Sequence, residues 1–244
     1  MNNERKDDIQ ELYDKSDKIT KYSIIIFYIN LFVSVVILSD FKYRNTFVLV
    51  SIILSILYVV FTNINEMYFK NTAENERRKS LIKESFKINT TLRETNKYYN
   101  NNENPSIEKL GLNCYESVYF TKKVVDKMML GETIKLVILS IIYLIFLVEI
   151  ENLDFLLIAT QTLFSSEFVF QFIKLCYYKF QLDKICKEFE QICFILGFGN
   201  EDSKVLLLDA TMDYECLKSY CKISTSSKIF LITTKNGQKN GKIY

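Results

Sequence analysis

The chain contains no histidine and no tryptophan, a single proline and only six glycines in 244 residues. Without histidine, zincin motifs, Ser-His-Asp and Cys-His catalysis and His-containing zinc sites are all excluded. So few helix breakers favour long helices over a many-stranded sandwich or barrel. A strong charge of one sign is missing too. Lys and Arg number 31 against 29 Asp and Glu, a formal net charge of +2, and the pI lies near 8.1. That balance gives no polycationic face for duplex binding, so a DNA or RNA polymer is not an expected partner. Nucleotide-hydrolysis signatures are also lacking. Gly237-Gln238-Lys239-Asn240-Gly241-Lys242 is too short between glycines for a P-loop and has no Ser or Thr after the lysine, and Gly197-Phe198-Gly199 is no dinucleotide fingerprint. No catalytic residue, metal ligand or cofactor is expected, and the chain reads as non-enzymatic.

What is present is apolar sequence, unevenly placed. Mean hydropathy is only +0.05, yet no charged residue occurs from Tyr22 to Ser39, where Ser23, Asn30, Ser34 and Ser39 are the polar interruptions. About 20 residues suffice to cross a bilayer core of roughly 30 Å. A short charged link, Asp40 to Arg44, precedes a second uncharged stretch from Asn45 to Asn65. A third runs from Thr133 through Leu136 to Val148, with Lys135 placed to snorkel. A fourth runs from Leu153 to Ile173 and contains Asp154, Gln161, Glu167 and Gln171. Soluble helices show one apolar stripe, and these stretches are apolar on every face. The predicted fold class is an all-α membrane protein: four transmembrane helices in two hairpins, helical cytoplasmic segments, and a short C-terminal β-hairpin.

The predicted organisation is an amphipathic N-terminal helix (1–21), hairpin 1 (22–65), a stalk or sensor segment (66–132), hairpin 2 (133–173) and a helical C-terminal region (174–244). Ile9, Leu12, Tyr13 and Ile19 set the spacing of the first helix. No cleavable signal peptide is expected, because the first apolar run comes after some twenty charged and polar residues. An even helix count puts both termini on one side. Lys70, Arg77, Arg78 and Lys79 after helix two, and Lys174, Lys179 and Lys184 after helix four, mark that side as cytoplasmic, while the loop around Glu149, Glu151 and Asp154 carries no Lys or Arg. The six cysteines then fall where thiols stay reduced, and no disulfide is expected.

The second helix meets no breaker until Phe86, which predicts a stalk leaving the bilayer. Lys87 to Asn104, rich in Asn, reads as loop. Asn104-Pro105 reads as an N-cap and first-turn pair, leading into a helix whose apolar side carries Ile107, Leu110, Cys114, Val118, Val125 and Met128, with Gly131 as its stop. Beyond the fourth span a helix carrying Phe180, Cys186, Phe189, Cys193 and Leu196 runs to Gly197. A further helix over Glu201–Tyr220 is read with Val205, Leu208, Met212 and Leu217 on its apolar side. The tail from Lys228 to Thr234, with Asn236-Gly237 and Asn240-Gly241 after it, reads as a hairpin or a frayed end.

Two groups of residues are candidates for function. Glu167 at membrane depth, with Gln161, Ser165 and Gln171 near its face, reads as a polar seam lining a pore between subunits, or as the early end of the fourth helix. Arg77, Arg78 and Lys79, with Arg93, Tyr98 and Tyr99 in the loop, could grip an anionic ligand, guanidinium forks on phosphates and tyrosine rings on bases. The other reading of the basic trio is lipid headgroup binding or pairing with Glu74 and Glu76.

The run Ala73-Glu74-Asn75-Glu76-Arg77-Arg78, Asp213-Tyr214-Glu215, and Ser227-Lys228-Ile229-Phe230, set in two hairpins separated by a charged helical segment, resemble the SMODS-associating four-transmembrane effectors of bacterial anti-phage loci. The resemblance implies an effector in the bacterial inner membrane, with both termini cytoplasmic, that forms a homo-oligomer among membrane lipids and permeabilises or depolarises the bilayer. It also implies control by a cyclic oligonucleotide from a neighbouring nucleotidyltransferase or by a partner protein. A reading from a different class is a membrane anchor or scaffold recruiting a cytoplasmic partner through the Ile107–Met128 helix. A small transporter is a third, with little substrate site on four helices.

Overall fold

A computed structural model describes residues 6–37, 42–93, 95–96, 99, 101, 103–149, 167–197 and 200–223. These are helical almost throughout. Helix α1 spans Gln10–Ile37 and α2 spans Arg44–Ile64; a π-helical turn, Asn65–Lys70, joins α2 without a break to α3, Asn71–Phe86. Helix α4 covers Ile107–Glu149, α5 Glu167–Gln191 with a π turn at Ile192–Leu196, and α6 Glu201–Cys221. Two short strands, Lys6–Asp7 (β1) and Thr95–Asn96 (β2), pair antiparallel. The amphipathic N-terminal helix therefore starts later than composition suggests, with Ile9 buried beside it.

Helices α1 and α2 form an antiparallel hairpin. Asn30 donates through Nδ2 to Ser55 Oγ at 3.0 Å and accepts from Ser51 Oγ at 2.8 Å, and the rings of Phe27 and Tyr58 lie 5.7 Å apart. At the open end Ser16 donates to Asn65 Oδ1 and Asn65 Nδ2 donates to Thr20 Oγ1, both at 2.8 Å. Asn30, Ser51 and Ser55 thus pair across the two helices, while Ser23, Ser34 and Asn63 bond backbone carbonyls of their own helices. Elsewhere the hairpin's apolar side chains stand outward: Phe32, Leu49, Ile53, Ile56 and Val59 are all more than half exposed. The helices containing them, Gln10–Ile37 and Arg44–Phe86, are long and apolar enough to cross a membrane.

The core lies elsewhere, in segments the sequence assigns to the water side. Helices α4, α5 and α6 pack through Cys114, Tyr115, Val118 and Val125, Leu175, Tyr178, Leu182, Ile185 and Phe189, and Leu207, Ala210, Tyr214 and Leu217. Lys122–Asp183 at 3.0 Å and Lys179–Asp126 at 2.6 Å run α5 antiparallel to α4. Lys204 near Glu108 and Leu207 against Gly111 run α6 parallel to α4. Gly111 has no room for a side chain: a Cβ there would sit 2.8 Å from Leu207 Cδ2. The expected stripe of α4 is present, with Leu110, Cys114, Val118 and Val125 buried.

Several local expectations need correction. The N-cap of α4 is Ser106, whose Oγ accepts from Lys109 N at 3.1 Å, so Asn104 and Pro105 lie before the helix. Gly131 does not stop it. The helix continues to Glu149 because a glycine costs a helix only about 1 kcal/mol and no Pro comes after it. On α6 the inward face is Ser203, Leu207, Ala210, Tyr214, Leu217 and Cys221, so Leu217 is placed as expected while Val205, Leu208 and Met212 are exposed. Two apolar stripes share that helix, and only packing decides between them. Phe86 ends α3 as read, through Lys87 in the left-handed region (φ 55°), and Gly197 (φ 73°) ends the π turn after α5. Residues 150–166, which hold most of the expected Glu149–Asp154 loop and the first part of the expected fourth span, and the tail from 224 with its expected hairpin lie outside the described residues.

Candidate functional site

Helix α3 shows no apolar stripe in sequence, and its buried residues are Ala73, Arg77, Ser80, Leu81 and Ser85. A π turn holds about one residue more than an α turn, which rotates the next helical segment by roughly 100°. The face carrying Arg77 thereby points into the bundle. Arg77 is only 7% exposed. Its Nε donates to Glu74 Oε2 at 2.8 Å and its Nη2 to Glu215 Oε2 on α6 at 2.5 Å. Lys218 closes the cluster at 3.1 Å from Glu74, with its ammonium 5.9 Å from the Tyr214 ring centre.

The electrostatics of this quartet come from burial and proximity. Burial alone would raise the Glu74 carboxyl, but Lys218 and Arg77 hold it down at about 2. Burial works against the Arg77 charge as well, and Glu74 and Glu215 outweigh it, keeping the guanidinium protonated more firmly than usual. Lys218 is pushed below its ordinary value by burial and by Arg77, against the pull of Glu74 and Glu215. Burial raises the Cys114 thiol to about 12, so it is an inert core residue. All six cysteines are free thiols.

Of the six residues expected to grip an anionic ligand, the described ones have other partners in the fold. Arg77 is committed to Glu74 and Glu215. Arg78 is exposed and donates to Asn75 at 3.0 Å, and Lys79 pairs with Glu76 at 2.8 Å. Arg93 donates to the Asp8 carbonyl at 3.0 Å. Tyr99 is half-buried in the loop, and Tyr98 lies outside the described residues. The trio is therefore arranged largely as in the alternative reading, pairing with Glu74 and Glu76. Of the expected intramembrane seam, Gln161 and Ser165 lie outside the described residues. Glu167 opens α5, and Gln171 stands one turn later at the surface.

A second feature has no counterpart in the sequence pattern. Lys70, Asn71, Glu74, Asn75 and Arg78 of the α2–α3 helix face Glu215, Lys218, Ser219 and Lys222 at the end of α6 across a small cleft open to solvent. Lys70 reaches over it to the Lys222 carbonyl at 3.4 Å. Lys70 and Lys222 are 152 residues apart, and only the antiparallel packing of α3 on α6 joins them.

No protein-family model matches this chain, and no curated protein or solved structure is similar to it at a significant level.

Proposed function

We propose that this protein is a non-enzymatic membrane effector. A water-facing helical bundle receives a signal, and the membrane hairpins, assembled as an oligomer, permeabilise or depolarise the bilayer. The observation that carries the reading is the unbroken helix from Arg44 to Phe86, which joins an exposed apolar span to the buried Arg77 cluster of the bundle. A helix that is rigid through both parts transmits a shift in one to the other. A ligand that favours one arrangement of the bundle pulls the hairpin with it, by population shift. In this reading the last part of α4, uncharged from Leu136 to Val148 with Val137, Ile138, Ile141 and Leu144 half exposed, is a third span, and the chain is multi-pass with cytoplasmic termini.

The resemblance to the SMODS-associating effectors of anti-phage loci supplies the setting, a bacterial inner membrane, and the signal, a cyclic oligonucleotide. The test is dye release from liposomes holding the purified chain, with and without a panel of cyclic oligonucleotides. The expected result is leakage changed by one member of the panel. Tight liposomes throughout, with insertion confirmed, would leave the scaffold reading. That reading has its own support in the exposed apolar side chains of α6, Val205, Leu208 and Met212. On the Ile107–Met128 helix, α5 and α6 occupy the apolar stripe, so a partner recruited there would meet its other faces.

A further inference from the structure

The cleft between α3 and α6 lies at a definite height. Lys70 is five residues beyond Asn65, the end of the uncharged run, and at 1.5 Å per residue that is about 7 Å. The headgroup layer beyond the hydrocarbon core is on the order of 5–7 Å thick on each side. Met67 and Tyr68, both strongly exposed, sit on the same turn, and a tyrosine at this depth is the usual interfacial anchor.

Lysines from three separate helices come near that level: Lys70 reaches the Lys222 carbonyl at 3.4 Å, and Lys174 stands 3.8 Å from Glu66, one turn before Lys70. Lys70 leaves α2 through the π turn, Lys174 comes after the first turns of α5, and Lys222 caps α6. Lys70 is held below its ordinary proton affinity, first by burial and then by the repulsion of Lys174 and Lys222, against Glu66 and Asp17. Lys174 has one acidic neighbour at 3.8 Å, Glu66. Lys222 makes no ion pair among the described residues. Farther from the membrane the cleft walls hold Arg78 and Lys218 against Glu74 and Glu215. Both carboxylates are already engaged by Arg77, and Glu74 by Lys218 as well. The cleft lining therefore carries an excess of positive charge, Lys70, Arg78, Lys218 and Lys222 against Glu74 and Glu215, and folding alone does not neutralise it. Burial penalises the charged form of Lys70, and an incoming anion offsets that cost.

We propose that the membrane end of this cleft, at Lys70 and Lys222 with Lys174 beside them, is a binding site for the phosphate of an anionic phospholipid headgroup. The inference rests on the membrane reading given above, and not on a nucleotide signal. Two sources could present a phosphate here, lipid or cytosol. The height of the lysines favours lipid, because a headgroup delivers its phosphate at the level of Lys70 while its acyl chains lie along the exposed face of α2.

The experiment is native mass spectrometry of the full chain in detergent, titrated with phosphatidylglycerol, phosphatidylcholine, glycerol 3-phosphate or inorganic phosphate. The expected result is one tightly retained phosphatidylglycerol and no comparable retention of the others. A Lys70→Gln/Lys222→Gln double variant should weaken it about twenty-five-fold, since each lysine beside an anionic headgroup contributes roughly a factor of five. A Lys184→Gln variant, on the far part of α5, should not change it. Equal retention by the double variant would overturn the site, and equal retention of glycerol 3-phosphate would overturn the lipid source. All variants are first reconstituted into neutral phosphatidylcholine vesicles. Failure of the wild type to insert there would overturn the membrane reading itself, a result distinct from loss of lipid selectivity.

Discussion

Arg77 shows how far a single residue can depart from its sequence neighbourhood. It stands in a run of three basic residues, Arg77-Arg78-Lys79, and composition alone treats the three alike. Two of them stay at the surface, and the first is drawn into the bundle by carboxylates from its own helix and from α6. Removing it leaves Glu215 without its cation and Glu74 with Lys218 alone. Arg77→Met should therefore cost about 3–5 kcal/mol of bundle stability, read as a lowered midpoint in thermal unfolding in detergent. The same cluster sets an acid limit. Glu74 titrates at about 2 in the folded chain against 4.5 unfolded, so its contribution is complete above pH 4.5 and is lost as the pH falls from there toward 2. Glu74→Gln should flatten that part of the stability profile, and an unchanged acid limb would remove Glu74 from the cluster's energetics.

At the scale of the element, two glycines of one helix test the packing directly. Gly111 lies against the fully buried Leu207, where an added Cβ would come within 2.8 Å of one methyl and 3.2 Å of the Leu207 Cβ. Gly131 meets nothing within 4 Å. Gly131→Ala should stabilise α4 by about 0.5–1 kcal/mol, because it removes the entropy cost of glycine in a helix. Gly111→Ala gains the same propensity but forces α6 away, with a net loss of about 1–2 kcal/mol. Denaturant midpoints of the two variants should move in opposite directions. The helices of this chain were largely legible in its sequence: the paucity of Pro and Gly, the stripe of α4, and the boundaries of α6 all express local pattern. The inward face of α3 was not, because its buried stripe is Ala, Arg and Ser rather than apolar, and the π turn shifts its phase.

Across the whole molecule, exposed apolar surface has two different meanings. Ile53 on the hairpin is 57% exposed and Val205 on the bundle 67%, so by exposure they are equivalent. If the hairpin lies in lipid, Ile53→Asp should impair membrane insertion by about 2.5–3.5 kcal/mol. Val205→Asp on a watery face should leave insertion unchanged and stability within about 0.5 kcal/mol. Fractionation of the two variants between membrane and soluble pools checks this, and equal behaviour would place both residues in the same medium. The cleft and the Arg77 cluster belong to this scale too. Each draws on residues more than a hundred positions apart, Lys70 with Lys222 and Arg77 with Glu215, and no local spacing announces such pairs.

The sequence by itself determined that this chain is helical and that its apolar runs suit a bilayer while its charged segments suit water, because those properties depend on local composition and on the length of uncharged stretches. Only the tertiary structure decided which of two apolar stripes on α6 is buried, that Arg77 faces inward while Arg78 faces out, and that Lys70 reaches Lys222. Those outcomes depend on helix phase and on which faces pack together, and phase is lost to sequence pattern wherever a π turn intervenes or a buried stripe is polar.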